Sequence, residues 1–367
     1  MRKRLFLFIC GMLLFEAGIP QNRSVQFEKT SFAVSLAKAA REHKLVFLDT
    51  YTSWCSACKW MDKTTFREDR VADFFNAHFV NVKFDTEKGE GIEIKKRYPG
   101  IHSYPTYFIL DANGKELHRI VGGGLPDEFI AKVKIGMNPE TCLTVLADRY
   151  SRGERGREFI AAYLKGLETA GQYGEAETLA ADYIRDLGNA VADSVNWFLF
   201  RDYLGANSLC PEFQLMLERK SEFVRNNGKR TVEDKINTVF FNDAFEMYWG
   251  GERCTLAQRR MLRKMVRRNR TEDYRTISML LDLADAKNIS VAKLLKVVVR
   301  QLETSTLEPE RKHAIFEDIR QIVAERGNIG EKEKFAKALR NQIARVPNEQ
   351  EKVYYKELLK SFLAGGE

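Results

Sequence analysis

Hydrophobic positions follow two different patterns along the 367 residues of this chain. Up to about residue 136, short apolar runs alternate with stretches of helical spacing. The run at 45–48 is almost wholly apolar, which predicts a strand inside a sheet that is covered on both faces. Further strands are predicted at 79–84, 106–110 and 116–121, and helices at 32–43, from 55 towards 66 and at 129–135. The Asn113-Gly114 pair predicts a hairpin, so residues 24–136 are expected to form a compact α/β domain.

The remainder of the chain, residues 138–367, shows only amphipathic stretches separated by Gly or Asn, which predicts an all-helical domain. Examples of these stretches are at 142–150, 159–169, 176–187, 213–224, 257–266, 292–302, 314–324 and 353–362. The segment AGQYGEAE at 170–177 resembles the turn inside a tetratricopeptide repeat. Because a steady period of about 34 residues is not found, we predict an irregular, solenoid-like stack of helical hairpins.

The N-terminus has the order of charged and apolar residues that is typical of a secretory signal peptide. A basic start at 1–4 precedes an apolar run at 5–15, which is shorter than the roughly 20 residues that span a bilayer. We therefore predict a signal peptide at 1–20 and a periplasmic protein, secreted across the inner membrane. A retained N-terminal membrane anchor is the alternative, and it would leave the rest of the chain outside the cytoplasm as well.

Composition and charge narrow the class of protein only slightly. With 44% hydrophobic and 30% charged residues the chain is typical of a globular protein, which argues against broad disorder. The formal net charge of +8 is moderate for this length, and we predict no nucleic acid partner outside the cytoplasm. The stretch 253–270 is rich in Arg and Lys and contains no acid. We interpret it as the solvated face of an amphipathic helix, with an acidic partner or a membrane surface as the alternative.

Reactive chemistry is expected at WCSAC, residues 54–58. A thiol attacks as its thiolate, and the free N–H groups and positive dipole end of a helix start stabilise that anion. An apolar strand leads directly into Trp54 and Cys55, and a helix follows. We therefore expect Cys55 to be exposed at the first turn with a lowered pKa, and Cys58 to be shielded one turn later. This spacing predicts attack by Cys55 and resolution by Cys58.

Two other interpretations of the cysteine pair are less well supported. A zinc site would need two more ligands, and the sequence shows neither a second CxxC nor a pair of close histidines. We therefore predict no metal and no cofactor. A permanent structural disulfide across so short a loop would stabilise the fold only weakly. Cys142, Cys210 and Cys254 are expected to be packing residues, with a bridge between two of them as the alternative.

Three segments carry a resemblance to a known family: VFLDTYTSWCSACK at 46–59, SYPTYFILDANGKEL at 103–117 and VGGG at 121–124. Together they resemble the thioredoxin superfamily. The continuation CKWMDKTTF is similar to the thioredoxin-like C-terminal domain of membrane thiol:disulfide interchange reductases. The resemblance covers about residues 25–136 and implies a thioredoxin fold. It also implies a redox-active disulfide in which Cys55 is the attacking thiol and Cys58 the resolving one.

The resemblance further implies that Asp49 is a catalytic acid–base residue. It stands where thioredoxins hold a buried carboxyl group with a raised pKa, which accepts the proton of the second cysteine. An ordinary strand-end acid that faces water is the alternative. Many thioredoxins pair this acid with a basic residue. No clear match is found for it here, although Asn81 and Lys83 fall nearby.

Substrate contacts are implied on the other side of the cysteine pair. Pro105 matches the proline whose preceding peptide bond is cis, which would turn the Tyr104 backbone towards a substrate strand. A trans proline at the start of an edge strand is the alternative. Trp54 would pack beside Cys55 and shape the substrate surface. The glycines at 122–124 stand where the family keeps a glycine so that a partner chain can approach.

The expected function is thiol–disulfide exchange on protein disulfides outside the cytoplasm. Ser56 and Ala57 stand between the cysteines, and a histidine before the second cysteine, typical of strong oxidants, is absent. This favours a reductase or isomerase, with client proteins as substrates and a membrane thiol reductase as electron donor. The alternative is a non-catalytic interaction or redox-sensing protein. In either case the helical domain is expected to offer a surface for a protein partner.

Overall fold

The computed structural model describes residues 23–205, 207–250, 255–269, 272–305 and 307–364. The predicted signal peptide at 1–20 and Cys254 therefore lie outside the described residues. The chain divides into two compact units, residues 1–179 and 180–367. None of the helices in the described residues is both long and apolar enough to span a bilayer.

A mixed sheet of four strands forms the centre of the first unit, which confirms the predicted α/β arrangement. The strands are β1 (Leu45–Tyr51), β2 (Phe79–Asp85), β3 (Thr106–Leu110) and β4 (Glu116–Val121). Their order across the sheet is β2-β1-β3-β4. Strand β2 runs parallel to β1, whereas β3 is antiparallel to both β1 and β4. The hairpin between β3 and β4 turns at Gly114, whose φ of 77° suits a glycine.

Helices surround this sheet and continue beyond it. They are α1 (Phe32–Glu42), α2 (Ser56–Lys63), α3 (Asp69–His78), α4 (Glu90–Arg97), α5 (Pro126–Met137), α6 (Leu143–Ser151) and α7 (Arg157–Thr169). The helix that was predicted to run on towards residue 66 ends at Lys63, because Thr64 leaves helical geometry with φ −124° and ψ −87°. A short 3₁₀ turn, Thr65–Arg67, follows it. Helices α3 and α4 were not predicted.

Both faces of the sheet are buried, as the apolar run of β1 predicts. Phe47 lies in a cluster of aromatic rings on one face, together with Phe75 and Tyr107. Its neighbours Val46 and Leu48 belong to the cluster on the opposite face. This alternation follows from the period of two residues in a strand.

Helices α6 and α7 pack against the edge strand β4. The backbone N–H of Leu143 donates to Nδ1 of His118 at 3.2 Å, and the Thr144 hydroxyl donates to the carbonyl of Leu117 at 3.2 Å. His118 is fully buried, and burial lowers its pKa to about 4. The first compact unit therefore extends past the sheet domain. The boundaries at 24–136 and 138–367 remain a proposal that rests on sequence pattern.

The second unit is helical throughout its described residues. After α8 (Tyr173–Asp186), its helices are α9 (Pro211–Glu218), α10 (Lys220–Asn227), α11 (Lys229–Trp249), α12 (Leu256–Asn269), α13 (Tyr274–Lys287), α14 (Val291–Arg300), α15 (Pro309–Arg326), α16 (Ile329–Arg345) and α17 (Glu349–Ala364). Helices α11, α13 and α16 were not predicted, and the stretch predicted at 213–224 is divided at Arg219. Cys142 and Cys210 are free thiols, so no bridge joins them. A helical repeat stays a prediction.

Candidate active site

The connection from β1 to α2 places the two cysteines at a helix start. Cys55 is the N-cap residue of α2, and its sulfur accepts a hydrogen bond from the backbone N–H of Cys58 at 3.0 Å. The two cysteines form a disulfide bond, with their Cα atoms 5.4 Å apart. A sulfur in this position faces the free N–H groups of the first turn, which stabilise negative charge on it. The two cysteines therefore lie at the start of a helix, as predicted.

The predicted difference in exposure between the two cysteines is wrong for this disulfide-bonded state. Cys55 is only 4% exposed and Cys58 is 3% exposed. The bond joins Cys55 to a buried sulfur, and the hydrogen bond from Cys58 holds the Cys55 sulfur against the first turn of α2. The adjacent Trp54, in contrast, is 64% exposed.

Trp54 and Tyr104 lie side by side next to the disulfide. Their rings meet edge to face, with centroids 5.9 Å apart. The indole N–H of Trp54 donates to the Glu87 carboxylate at 3.1 Å, which fixes the orientation of this exposed ring. The two residues thus form an aromatic wall that an incoming polypeptide can contact.

The Tyr104-Pro105 peptide bond is cis, as the resemblance implies. The carbonyl of Pro105 accepts a hydrogen bond from the N–H of Gly122 at 2.9 Å. Gly122 has a φ of 81° and open space on its Cβ side, so it is the glycine beside which another chain has room. Gly123 differs, because a Cβ there would lie 2.8 Å from the sulfur of Met61. Its small size serves packing within the domain.

Asp49 lies on β1 and is buried, with 1% of its surface exposed. The alternative of a strand-end acid that faces water is therefore wrong. Burial raises the pKa of Asp49 to about 6, and the nearby charge of Lys83 opposes this effect. One carboxylate oxygen, Oδ1, has no hydrogen-bond partner among the described residues. A carboxyl group in this state can take up and release a proton near neutral pH.

Lys83 is the basic residue that pairs with the buried acid. Its Nζ lies 3.3 Å from Oδ2 of Asp49, and it also contacts Oδ1 of Asp62 on α2. Although burial lowers the pKa of Lys83, the two carboxylates outweigh it and the pKa is raised. Asp62 lies one helical turn after Cys58, so the Asp62–Lys83–Asp49 chain of contacts connects the buried acid to the helix that carries the cysteines. Asn81, the other candidate, binds Gln26 and Asn76 instead.

Comparison with known proteins identifies the family. A sequence model of the family described as thioredoxin-like matches residues 27–112. Thioredoxin Y, chloroplastic, of Oryza sativa subsp. japonica is 30% identical over 125 residues, which are 33% of this chain and 70% of that protein. The chain belongs to the thioredoxin superfamily. Its thioredoxin-like domain is of a disulfide oxidoreductase family and carries a disulfide-bonded CxxC pair.

Other relatives also match about a third of the chain. The thiol:disulfide interchange protein DsbD of Pseudoalteromonas atlantica is 30% identical over 133 residues, which are 34% of this chain and 22% of that protein. The chain thus spans about a fifth of the length of that relative. A solution structure described as a putative disulphide-isomerase from Bacteroides thetaiotaomicron is 43% identical with a TM-score of 0.31, covering 33% of this chain and 98% of that chain.

Sequence reasoning left two residues of the thioredoxin-like domain without a role. Lys83 is opposite Asp49 in the parallel register of β1 and β2, which the two segments do not specify by themselves. Asp62 follows Cys58 by four residues, a spacing that places both side chains on one face of a helix. Among the described residues, no group of three or more His, Cys, Asp or Glu side chains is arranged to hold a metal ion.

Proposed function

We propose that this protein is a thiol–disulfide oxidoreductase that reduces or isomerises disulfides of client proteins outside the cytoplasm. The observation that carries this proposal is the disulfide at the start of α2, a helix that Asp62 and Lys83 connect to a buried carboxyl group, whose pKa is raised to about 6. The family supports disulfide chemistry in general. The direction of the reaction, the clients and the location are parts of the proposal.

Reduction of a client begins from the dithiol form. The Cys55 thiolate, stabilised by N–H groups of the first turn of α2, attacks one sulfur of the client disulfide. A mixed disulfide forms, and the other client sulfur leaves as a thiolate. Cys58 then transfers its proton towards Asp49 and attacks the Cys55 sulfur. The second client thiolate leaves, two electrons have passed to the client, and the Cys55–Cys58 disulfide seen here is the product.

Each of the other site residues has a part in this cycle. Trp54 and Tyr104 hold the client segment against the cysteines, and the backbone around the cis Pro105 pairs with it as a neighbouring strand. Asp49 accepts the Cys58 proton because its pKa lies near neutrality. Ser56 and Ala57 supply no positive charge to the Cys55 thiolate, which favours a reducing pair over a strongly oxidising one.

The oxidised enzyme must be returned to the dithiol form by a donor of two electrons. We propose a membrane thiol reductase as that donor, since a signal peptide at 1–20, as predicted from the sequence, would place the domain outside the cytoplasm. The second unit is proposed to recruit a protein partner through its helices. A purely non-catalytic adaptor with a redox-sensing disulfide is the competing function, and the following experiments separate the two.

Turnover is tested with insulin reduction by the full chain in the presence of dithiothreitol. Cys55→Ala should lower the rate to that of dithiothreitol alone, because the attacking sulfur is lost. Cys210→Ser is the matched control, since this free thiol lies outside the site, and it should keep the parent rate. Equal rates for the Cys55→Ala variant and the parent would refute the assignment of Cys55.

Client capture is tested with Cys58→Ser, which can form the mixed disulfide but cannot resolve it. This variant should accumulate disulfide-linked complexes on a non-reducing gel, and Cys55→Ala should not. An adaptor whose disulfide only senses redox state would show no such complexes in either variant.

A further inference from the structure

The basic stretch of the second unit separates into two groups of side chains on α12. Arg259 and Arg263 point towards α13. Nε of Arg259 donates to Asp285 at 2.6 Å, and the Arg263 guanidinium donates to Asp282 and Asp285 at 2.7 Å each. These two residues hold α12 on α13, and Arg259 is only 7% exposed. The sequence-based interpretation of a wholly solvated basic face is therefore wrong for them.

The second group faces solvent. Arg260, Lys264, Arg267 and Arg268 are exposed and, within the part of the chain that the structure describes, form no ion pair. Leu256 and Met261 lie among them and are 50% and 49% exposed. We name these six residues the α12 basic face. Helix α12 contains no acidic residue that would neutralise it.

Most residues of the α12 basic face form a nearly straight row along the helix. Leu256, Arg260, Lys264 and Arg267 or Arg268 follow one another at intervals of three or four residues, which keeps them on one side of the helix. The row is about 18 Å long at 1.5 Å per residue. A straight row on the outer side of a helix can touch a flat surface along its whole length without a groove.

We propose that the α12 basic face binds the surface of a membrane that contains anionic phospholipids. Four positive charges that form no ion pair within the described residues are complementary to a layer of phosphate groups. Leu256 and Met261 are the exposed apolar groups that such a surface accepts at the level of the headgroups. An acidic polypeptide would satisfy the charges, but it gives no reason for the exposed apolar side chains of Leu256, at the start of the row, and Met261, beside it. The proposal does not depend on the redox function.

Binding is tested by sedimentation of the full chain with vesicles of phosphatidylcholine, either alone or with about 30% phosphatidylglycerol. The parent protein should sediment more with the anionic vesicles, and about 0.5 M NaCl should remove the difference, since salt screens exposed charges. The apolar N-terminal run is common to all variants. Sedimentation with neutral vesicles therefore measures its contribution.

The residues are tested with the double variant Arg260→Gln/Lys264→Gln. Each basic residue near an anionic surface contributes about a fivefold change in partitioning, so two substitutions should weaken binding about 25-fold. The matched control, Lys334→Gln/Lys337→Gln, removes the same charge from exposed positions on α16 and should change binding less than twofold. Unchanged far-UV circular dichroism and an unchanged urea midpoint show that both variants fold.

Three results would overturn the proposal. They are equal binding to neutral and anionic vesicles, equal losses in the two double variants, and binding of the parent to polyglutamate but not to the anionic vesicles. The last result would assign the α12 basic face to an acidic protein partner.

Discussion

At the scale of single residues, burial changes the titration of Asp49. The folded protein holds its pKa at about 6, whereas the ordinary value is 3.8. Near pH 3.5 both the folded and the unfolded chain hold this proton. As the pH rises from about 4 to about 6, the unfolded chain releases the proton first, so the free energy of unfolding decreases. Above pH 6 the folded state carries a buried carboxylate.

Asp49→Asn should therefore stabilise the oxidised protein at pH 8 by about 2 kcal/mol, and the gain should vanish near pH 3.5. The asparagine resembles the protonated acid, and Lys83 keeps its contact with Asp62. Urea unfolding at a series of pH values measures the difference. Asp127→Asn, a change at an exposed carboxylate, is the control and should have little effect at any pH. If Asp49→Asn changed the free energy of unfolding by the same amount at every pH, the pKa of about 6 for Asp49 would be contradicted.

Lys83 and Asp62 should move the pKa of Asp49 in opposite directions. The ammonium of Lys83 lowers this pKa and the carboxylate of Asp62 raises it. Lys83→Met is therefore expected to raise the titration midpoint of the Asp49 carboxyl carbon in an NMR experiment, and Asp62→Asn to lower it. Lys88→Met, at an exposed lysine, should leave the midpoint in place. A shift of the same sign in the Lys83 and Asp62 variants would exclude this arrangement of charges.

Several site residues could be predicted from the sequence because local chemistry determines them. The WCSAC pattern at a strand-to-helix junction places Cys55 at a helix start, whereas the cis bond before Pro105 was implied by the resemblance to the thioredoxin superfamily. The exposure of Cys55 could not be predicted in this way, since it depends on whether the disulfide has formed. The contact of Lys83 with Asp49 depends on the register of two strands, which no single segment specifies.

At the scale of elements, the loop after β4 is positioned by its contact with α2. Met61 is fully buried, and a Cβ on Gly123 would lie 2.8 Å from its sulfur. Gly123→Ala should therefore cost about 1–3 kcal/mol of stability, because Met61 has to move within a packed core. Gly174→Ala is the control, since its Cβ would meet nothing within 4 Å. Urea midpoints measure both, and equal midpoints would show that the core has room beside Met61.

Some helices and strands could be predicted from the hydrophobic pattern, and others could not. Strands β3 and β4 were predicted with their observed ends, because apolar runs and the Asn-Gly turn define them. Helix α11 was missed, although it has 21 residues. Its buried side chains include Phe240 and Tyr248, while Phe241, Phe245 and Trp249 form a second row of aromatic contacts. A helix with large apolar residues on more than one side has no clear amphipathic period.

At the scale of the whole molecule, the extent of the thioredoxin-like domain along the chain determines which helices support β4. Sequence pattern places the end at residue 136, while the first compact unit includes α6 and α7, which cover β4. A piece of residues 23–137 would expose one side of β4 and leave Nδ1 of His118 without its donor, Leu143. The piece would also lack the buried side chains of these two helices, such as Leu146 and Ile160.

The piece 23–137 should therefore unfold at a lower urea concentration than the piece 23–179. Its His118 should also titrate closer to the ordinary value of 6.5 than to the pKa of about 4 that burial produces in the complete fold. Urea unfolding and NMR titration of the imidazole measure the two effects on the same pair of proteins. Equal urea midpoints with an unchanged pKa of His118 would mean that α6 and α7 add nothing to the domain. If the urea midpoint and the pKa of His118 both change, the sheet that carries the candidate site depends on α6 and α7.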